Sequence, residues 1–553
     1  MTRWLFAFFV CLVLLSACST KHYRASADKE VAKIIAQKTP KVPNMDTNFT
    51  VEATNEVSLK NFPVFDKPEE SFGADKEMDR GARIFSLNDS LAIAIRHSNE
   101  YQTEKEGLFE DALALTLVRH RYTPIFSGNA TAVEKRTPLD VKRGVNTVVE
   151  HEDSVKVSSK LTMKEELLRT GGKITTAFTT DFLRFVTGDP RLATSSELSA
   201  TLVQPLWRGA GYKVAVENLT QSERNVLYSL RTFTRFRKKF VVEVAAKFFD
   251  VLQKRDAVRN NWRGLQNFKE NVARERAFYE EGLRSQASLD QLKQAELQTE
   301  SKWISSVRAY RQSLDEFKIK IGLHTDDRII LDEGELERLK IVHPTLSIDD
   351  AVQVAMVSRL DLQTDRDKFE DAARHIDIAA NGLRPDVDLI AGVSAGKSSG
   401  RYFSSPDWKR YESYAGVQID LPLDRKAERN TYRVRLIDFA QSKRGLDLAI
   451  DKIKQELADD WRTLDQDKRT YEIDDLGVQI ASRRVEEQQL RQELGRGTSR
   501  DLVDAQLDLI EAKNSRTAAL VSHTIARLEL YRDMGVLWVK DNGQWDENPN
   551  GEK

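Results

Sequence analysis

The chain has 553 residues, 31% of them charged, with only 13 prolines and 26 glycines, a composition that favours long helices. Its 85 lysines and arginines nearly balance 86 aspartates and glutamates, which excludes the basic footprint of a nucleic-acid binder and an acidic tail.

At the N-terminus Arg3 precedes an apolar run, Trp4 to Leu15, too short to span a bilayer comfortably, and Leu15-Ser16-Ala17-Cys18 follows. This architecture predicts a secretory signal over 1–17. Small residues directly before a cysteine resemble the lipobox of bacterial lipoproteins, which implies lipidation at Cys18. Ser19 stands where an aspartate would be the inner-membrane retention signal, so the expected address is the outer membrane. Cys11 lies inside the signal, leaving the mature chain no disulfide pair. Residues 18–84, with Pro40, Pro43, Pro63 and Pro68, read as a lipid anchor and extended tether.

The remainder repeats itself. Ser86-Leu87-Asn88-Asp89-Ser90-Leu91 reappears as Ser347-Ile348-Asp349-Asp350-Ala351-Val352, Gln102-Thr103 as Gln363-Thr364, and Pro124 as Pro385, all at one offset of 261 residues. In each half a serine cap opens a helix that a proline stops, over 88–121 and 348–383, about 34 and 36 residues. After Pro385, Val387, Leu389, Ala391 and Val393 alternate with Asp386, Asp388 and Gly392, interrupted only by Ile390, and Ala415, Val417, Ile419 and Leu421 alternate likewise on the way back to Pro422, predicting a strand hairpin with one apolar face. Its Gly396-Lys397-Ser398 is not a phosphate loop, because Ala391 stands where the required glycine belongs and no helix follows. The first half has a longer strand region, from Pro124 to Pro205, with alternation at Val155, Val157, Leu161 and Met163 and a turn at Thr170-Gly171-Gly172. An additional hairpin is expected around 155–185, without a defined place.

Two proline-free stretches carry apolar residues at helical spacing, Phe240, Val244, Phe248 and Val251 in one, and Ile450, Ile453, Leu457, Trp461 and Leu464 in the other. Glycines interrupt them at Gly282, and at Gly495 and Gly497, predicting helical hairpin tips. The arms are unequal: residues 212–281 give roughly 105 Å of helix against roughly 59 Å for 283–321. The short helix that opens each half supplies the missing length, so two short helices stacked end to end should pair along one long one.

Short helix, strands, long helix, tip and returning helix, twice over behind a lipobox, resembles the TolC family of outer-membrane efflux and secretion channels, over roughly Ser86 to Trp538. Leu202-Val203-Gln204-Pro205-Leu206 and Ile419-Asp420-Leu421-Pro422-Leu423 are similar to the family's strand-to-helix junctions, and the run from Gly495 to Gln506 to its hairpin signature. The resemblance implies an α+β, TolC-like fold: long antiparallel helical hairpins forming a periplasmic tunnel, and short β-hairpins that close a transmembrane barrel in a homotrimer. It implies passive exit of substrate through a tripartite efflux or type I secretion system, with outer-membrane lipid, a periplasmic adaptor (membrane fusion) protein and an inner-membrane transporter of RND or ABC type as partners. It also implies an acidic gate at Asp501 and Asp504, one helical turn apart, and adaptor contacts at Gly282, Leu283, Ser288, Gly495, Gly497, Thr498 and Ser499. Where some members carry an arginine that restrains the closed state, this chain has Gly497.

The expected organisation is signal 1–17, anchor and tether 18–84, first repeat 85–322, linker 323–345, second repeat 346–538 and flexible tail 539–553. No metal motif, cofactor motif or catalytic constellation stands out among the eight histidines or elsewhere, and no nucleic-acid partner or enzymatic activity is expected. The alternative is a structural or adaptor coiled-coil lipoprotein: an adaptor would have one hairpin flanked by compact β domains rather than two hairpins each preceded by its own strands, and alternating strands beside the helices argue against a purely structural one.

Overall fold

A computed structural model describes residues 19–46, 49–52, 59–143, 146–186, 192–399, 406–494 and 496–546. In chain order α1 (Thr20–Lys38) and short 3-10 turns lead to β1 (Arg83–Phe85), α2 (Leu87–His97), α3 (Asn99–His120), β2 (Ile125–Arg143), β3 (Asn146–Glu166), β4 (Lys173–Phe185) and β5 (Leu192–Pro205). The long α4 (Glu217–Glu280) and returning α5 (Gln286–Ile321) complete the first half. After β6 (Ile329–Leu331) come α6 (Ile348–Ser358), α7 (Leu360–Gly382), β7 (Asp386–Ser399), β8 (Tyr411–Asp420), α8 (Lys426–Glu493), α9 (Ser499–Asp533), β9 (Trp538–Val539) and β10 (Trp545–Asp546). The chain divides into two compact units. One is Met1–Ile34, Glu110–Tyr228 and Arg366–Leu446; the other is Ile35–Phe109, Ser229–Asp365 and Asp447–Lys553.

The first unit holds the sheet. Its six strands run in the order β2-β3-β4-β5-β7-β8, every neighbouring pair antiparallel. The additional hairpin is β2–β3, beginning upstream of the expected 155–185, and both halves contribute to one sheet. The helices of this unit are tied to each other by polar contacts: Arg374 of α7 pairs with Glu217 of α4 at 2.7 Å and Tyr228 of α4 donates to Asp371 of α7 at 2.6 Å.

The second unit is built on helical hairpins. The predicted stripe Phe240, Val244, Phe248 and Val251 is buried throughout, and Ile453, Leu457 and Leu464 of the second stripe are buried too. Each fully buried phenylalanine contributes about 1.5–3 kcal/mol relative to exposure. Serine caps open both short helices, with Ser86 accepting from the Asp89 amide and Ser347 from the Asp350 amide, each inside a capping box.

The short helices differ from expectation in one respect: each is two helices, broken at Ser98 (φ −64°, ψ 126°) and at Arg359 (φ −72°, ψ 120°). The cause is the helix that meets the break. Gly322, in left-handed conformation at φ 83°, caps α5 so close to the junction that a Cβ there would overlap the His97 carbonyl. Gly535, at φ 80° beyond α9, lies against the Ser358 carbonyl, where a Cβ would sit 3.0 Å away. The buried Arg359 donates to the Asp533 carbonyl at the end of α9 (3.1 Å) and to Glu456 (2.6 Å). End-to-end abutment thus replaces a continuous helix.

The stretch read as an extended tether is not extended. From Ser19 onward its described residues include α1, which buries Val31, Ile34 and Ile35, and a turn at Glu70–Asp75 whose Gly73 lies on the Trp303 ring. Apolar side chains among the prolines, Val42, Met45 and Phe72, found a core to enter. The inter-repeat linker contains the buried β6, parallel to β1, and beyond it His343, whose ring meets Trp461 (5.3 Å) and His523 (6.0 Å). The tail read as flexible is packed as far as Asp546: Val539 is buried, and the Asn44 side chain both donates to its carbonyl (2.7 Å) and accepts from its amide (2.9 Å). The buried Arg237 donates to the carbonyls of Asn44 and Lys540.

Candidate functional site

Strand alternation sorts the sheet into two faces. Register places Phe126 opposite Met163, Leu161 opposite Phe178, Phe178 opposite Leu198, Leu202 opposite Ala391, and Leu389 opposite Val417. One apolar face therefore crosses all six strands. Much of it is exposed, Phe126 at 72%, Leu161 at 58% and Ile419 at 61%, while Thr194, Ser196 and Ala395 on the same face are buried. The opposite face carries Asn129, Lys160, Thr179 and Glu197 in one cross-strand row. Apolar outside and polar inside is the pattern of a strand wall between lipid and water. Leu206, Trp207, Tyr212 and Leu423, at the junctions of strand and helix, are also exposed, as in the aromatic belt of a membrane interface. Among the described residues no helix is long and apolar enough to cross a membrane.

On the polar face Gly392 stands opposite Tyr414, and a Cβ at 392 would meet the tyrosine ring. The ring lies over the glycine, a cross-strand arrangement that pins register.

The hairpin tips form the second element. In the first, Gly282 turns at φ 73° with open space around it, Leu283 is 70% exposed, and Ser285 caps α5 by accepting from the Ser288 amide. In the second, Thr498 caps α9, accepting from the Asp501 amide and donating to the Asp501 carboxylate at 2.6 Å. Asp501 and Asp504 are exposed, while Leu502, Ala505 and Gln506 between and beyond them turn inward. Asp504 has Arg500 at 3.9 Å as its cation. Gly497 is needed for close approach: its amide donates to the Arg491 carbonyl, and a Cβ would lie 2.9 Å from the Gln492 nitrogen. Cys18 and Gly495 lie outside the described residues.

Ser499 is not available for an outward contact. It is 4% exposed and donates to Glu275, itself 1% exposed, at 3.1 Å. Glu275 also accepts from Gln492 at 3.4 Å, Asn271 donates to Gln506 at 3.2 Å, and Arg284 of the first tip donates to the Gln492 carbonyl at 3.1 Å. These bonds join the two hairpins above a core of Phe268, Val272, Leu289 and Leu292 that Val503, Leu507 and Ile510 complete. The joint escaped the sequence reading, although Asn271 and Glu275 interrupt the helical stripe of Phe268 and Val272 at one-turn spacing. Among the described residues no cluster of three or more His, Cys, Asp or Glu is arranged to hold a metal.

Solved structures share this architecture. The outer-membrane channel OprN matches with a TM-score of 0.58 and 12% identity, over 89% of this chain and 98% of its own. CusC matches at 0.59 and 13%, over 89% and 98%, and the CmeC outer-membrane channel of Campylobacter jejuni at 0.60 and 12%, over 91% and 95%. No protein-family profile and no curated protein sequence matches the chain.

Proposed function

We infer that this chain, whose fold is that of TolC-like outer-membrane channels, is itself a channel subunit: a homotrimer in the outer membrane that gives passive exit from the periplasm. The observation that carries the reading is a sheet whose apolar face is largely exposed and whose edge strands β2 and β8 have no partner among the described residues. Unpaired backbone groups in lipid cost several kcal/mol each, and closure with further strands removes them. On α8, Ile473, Leu476, Ile480 and Leu490 form an exposed stripe at helical spacing, which supports packing against further copies. A periplasmic adaptor and an inner-membrane transporter of RND or ABC type would supply substrate and energy in efflux or secretion. Lipidation at Cys18 would anchor the mature N-terminus.

The gate reading assigns Asp501 and Asp504 to carboxylate rings that favour cations. Wild-type protein in a planar bilayer should give cation-selective current that divalent metal blocks, with a trimer mass in mild detergent. Asp501→Ala with Asp504→Ala should weaken block and selectivity with the trimer intact. A folded monomer that conducts nothing refutes the channel; unchanged block in the double variant refutes only the gate. Palmitate labelling of wild type against Cys18→Ser tests the anchor.

A further inference from the structure

The two halves keep an offset of 261 residues where helix gives way to strand, at Pro124 and Pro385, but of 217 where strand returns to helix, at Pro205 and Pro422. The first half thus holds 44 residues more between these landmarks, nearly the span of β2 and β3 with their turn. An inserted hairpin of two strands leaves direction unchanged, because β2 and β4 both run antiparallel to β3.

The insertion continues the wall. All of β4 is paired to β3, and β3 to β2, without a break in register. Phe126, Gly128, Ala130 and Ala132 fall on the apolar face, while Ser127 and Asn129 fall on the polar one. A hairpin lying outside the wall or plugging it would not carry that two-faced pattern in register with β4. The outer edges are then β2 and β8, and both carry it: Ala415, Val417 and Ile419 hold the apolar side of β8.

We propose, on the footing of the channel reading above, that β2–β3 is part of the membrane wall. Edge β8 of one copy pairs with edge β2 of the next, and three copies of these six strands close a barrel of eighteen. Barrel diameter grows roughly linearly with strand number, so the bore is about half as wide again as four strands per chain would build. The occupant of each edge is a second copy of this chain, since its partner edge must alternate apolar and polar residues over the same membrane depth.

Two measurements test this. Cysteine pairs are placed on the edges in the full-length protein, Gly128→Cys or Ala130→Cys with Val417→Cys or Ile419→Cys, with single-cysteine controls. Oxidation in the membrane should give covalent dimers and trimers on denaturing gels. Cross-linking of Val417→Cys to Phe178→Cys between copies, with none to β2, would overturn the proposal, because β4 would then be the true edge. Separately, excising 125–166 leads α3 directly into β4. Neutral polymers added on the side of the β2–β3, β4–β5 and β7–β8 turns should then be excluded at a radius smaller by about a third. An excised trimer with an unchanged cut-off refutes the wall role; if the excised chain does not assemble, the cross-links decide. Wild type that forms no pores refutes the channel reading, whereas pores with β8–β4 cross-links refute this inference alone.

Discussion

Ser98 and Arg359, 261 residues apart, hold the same extended bend, and each faces a left-handed glycine that ends the returning helix of its own half. Three glycines then form a graded series. Gly282→Ala, in open space at φ 73°, should cost only the left-handed penalty of about 1 kcal/mol. Gly535→Ala adds a tight contact with Ser358, and Gly322→Ala adds overlap with the His97 carbonyl. Melting temperatures should fall in that order, and equal effects at Gly282 and Gly322 would refute the abutment.

Adjacent residues on β3 separate the faces. Leu161 and Thr162 point to opposite sides of the sheet. Leu161→Arg should abolish membrane assembly, a lipid-facing Arg or Lys costing on the order of 2–4 kcal/mol near the midplane, whereas Thr162→Arg should be tolerated. Membrane fractionation and heat-modifiable gel mobility report both. Equal tolerance would mean that the apolar face does not meet lipid.

Glu275 joins the hairpins through Ser499 and Gln492 while almost fully buried. Glu275→Ala leaves both donors without their acceptor, at about 1–3 kcal/mol for the buried Ser499 hydroxyl and less for the half-buried Gln492. The tips should separate more readily, raising mean pore current at fixed voltage, and Glu275→Gln should retain part of the joint. A current unchanged in Glu275→Ala would limit the joint to a structural role.

Two groups on the second hairpin make stability depend on pH in opposite senses. Burial first, then the negative charges of Asp533 and Glu456, pushes the Asp460 carboxyl up to about 7. The native state binds that proton more tightly, so its contribution is full below the ordinary value of 3.8 and is lost as pH rises through about 7. Burial first, then the positive neighbours His343 and Arg527, pushes His523 down to about 4. Its cost is absent above 6.5 and grows as pH falls toward 4. Neither His523 nitrogen has a hydrogen-bond partner among the described residues. Asp460→Asn should raise the melting temperature more at pH 7.5 than at pH 5, and His523→Phe should do the reverse. Parallel pH curves for variants and wild type would refute both assignments.

Much of this was legible from periodicity. The capping serines, the stopping prolines, the buried stripe on α4 and the alternation in β7 and β8 are local patterns, and the structure keeps them. The breaks at Ser98 and Arg359 were not legible, because their cause is a helix end some 200 residues away in the chain. Prolines at 40, 43, 63 and 68 suggested a loose tether, since local composition does not reveal that Met45 receives a bond from Thr234 or that Gly73 rests on Trp303. For the same reason Ser499 looked like a surface residue until Glu275 was found beneath it.

Asn44 clasps Val539 through both backbone groups of that residue. Residue 539 is made 495 residues after residue 44, so this closure waits for all of the chain between them. Arg237, buried between the same two segments, has the Asn44 carbonyl earlier but lacks the carbonyls of Val539 and Lys540 until then. A chain cut short before Val539 keeps every strand of the sheet and both hairpins, yet leaves a buried guanidinium without those C-terminal partners, at the cost of an uncompensated charge. Residues 539 and 540 thereby seal the segment around Asn44, and a chain that stops short of them stays open to proteolysis there.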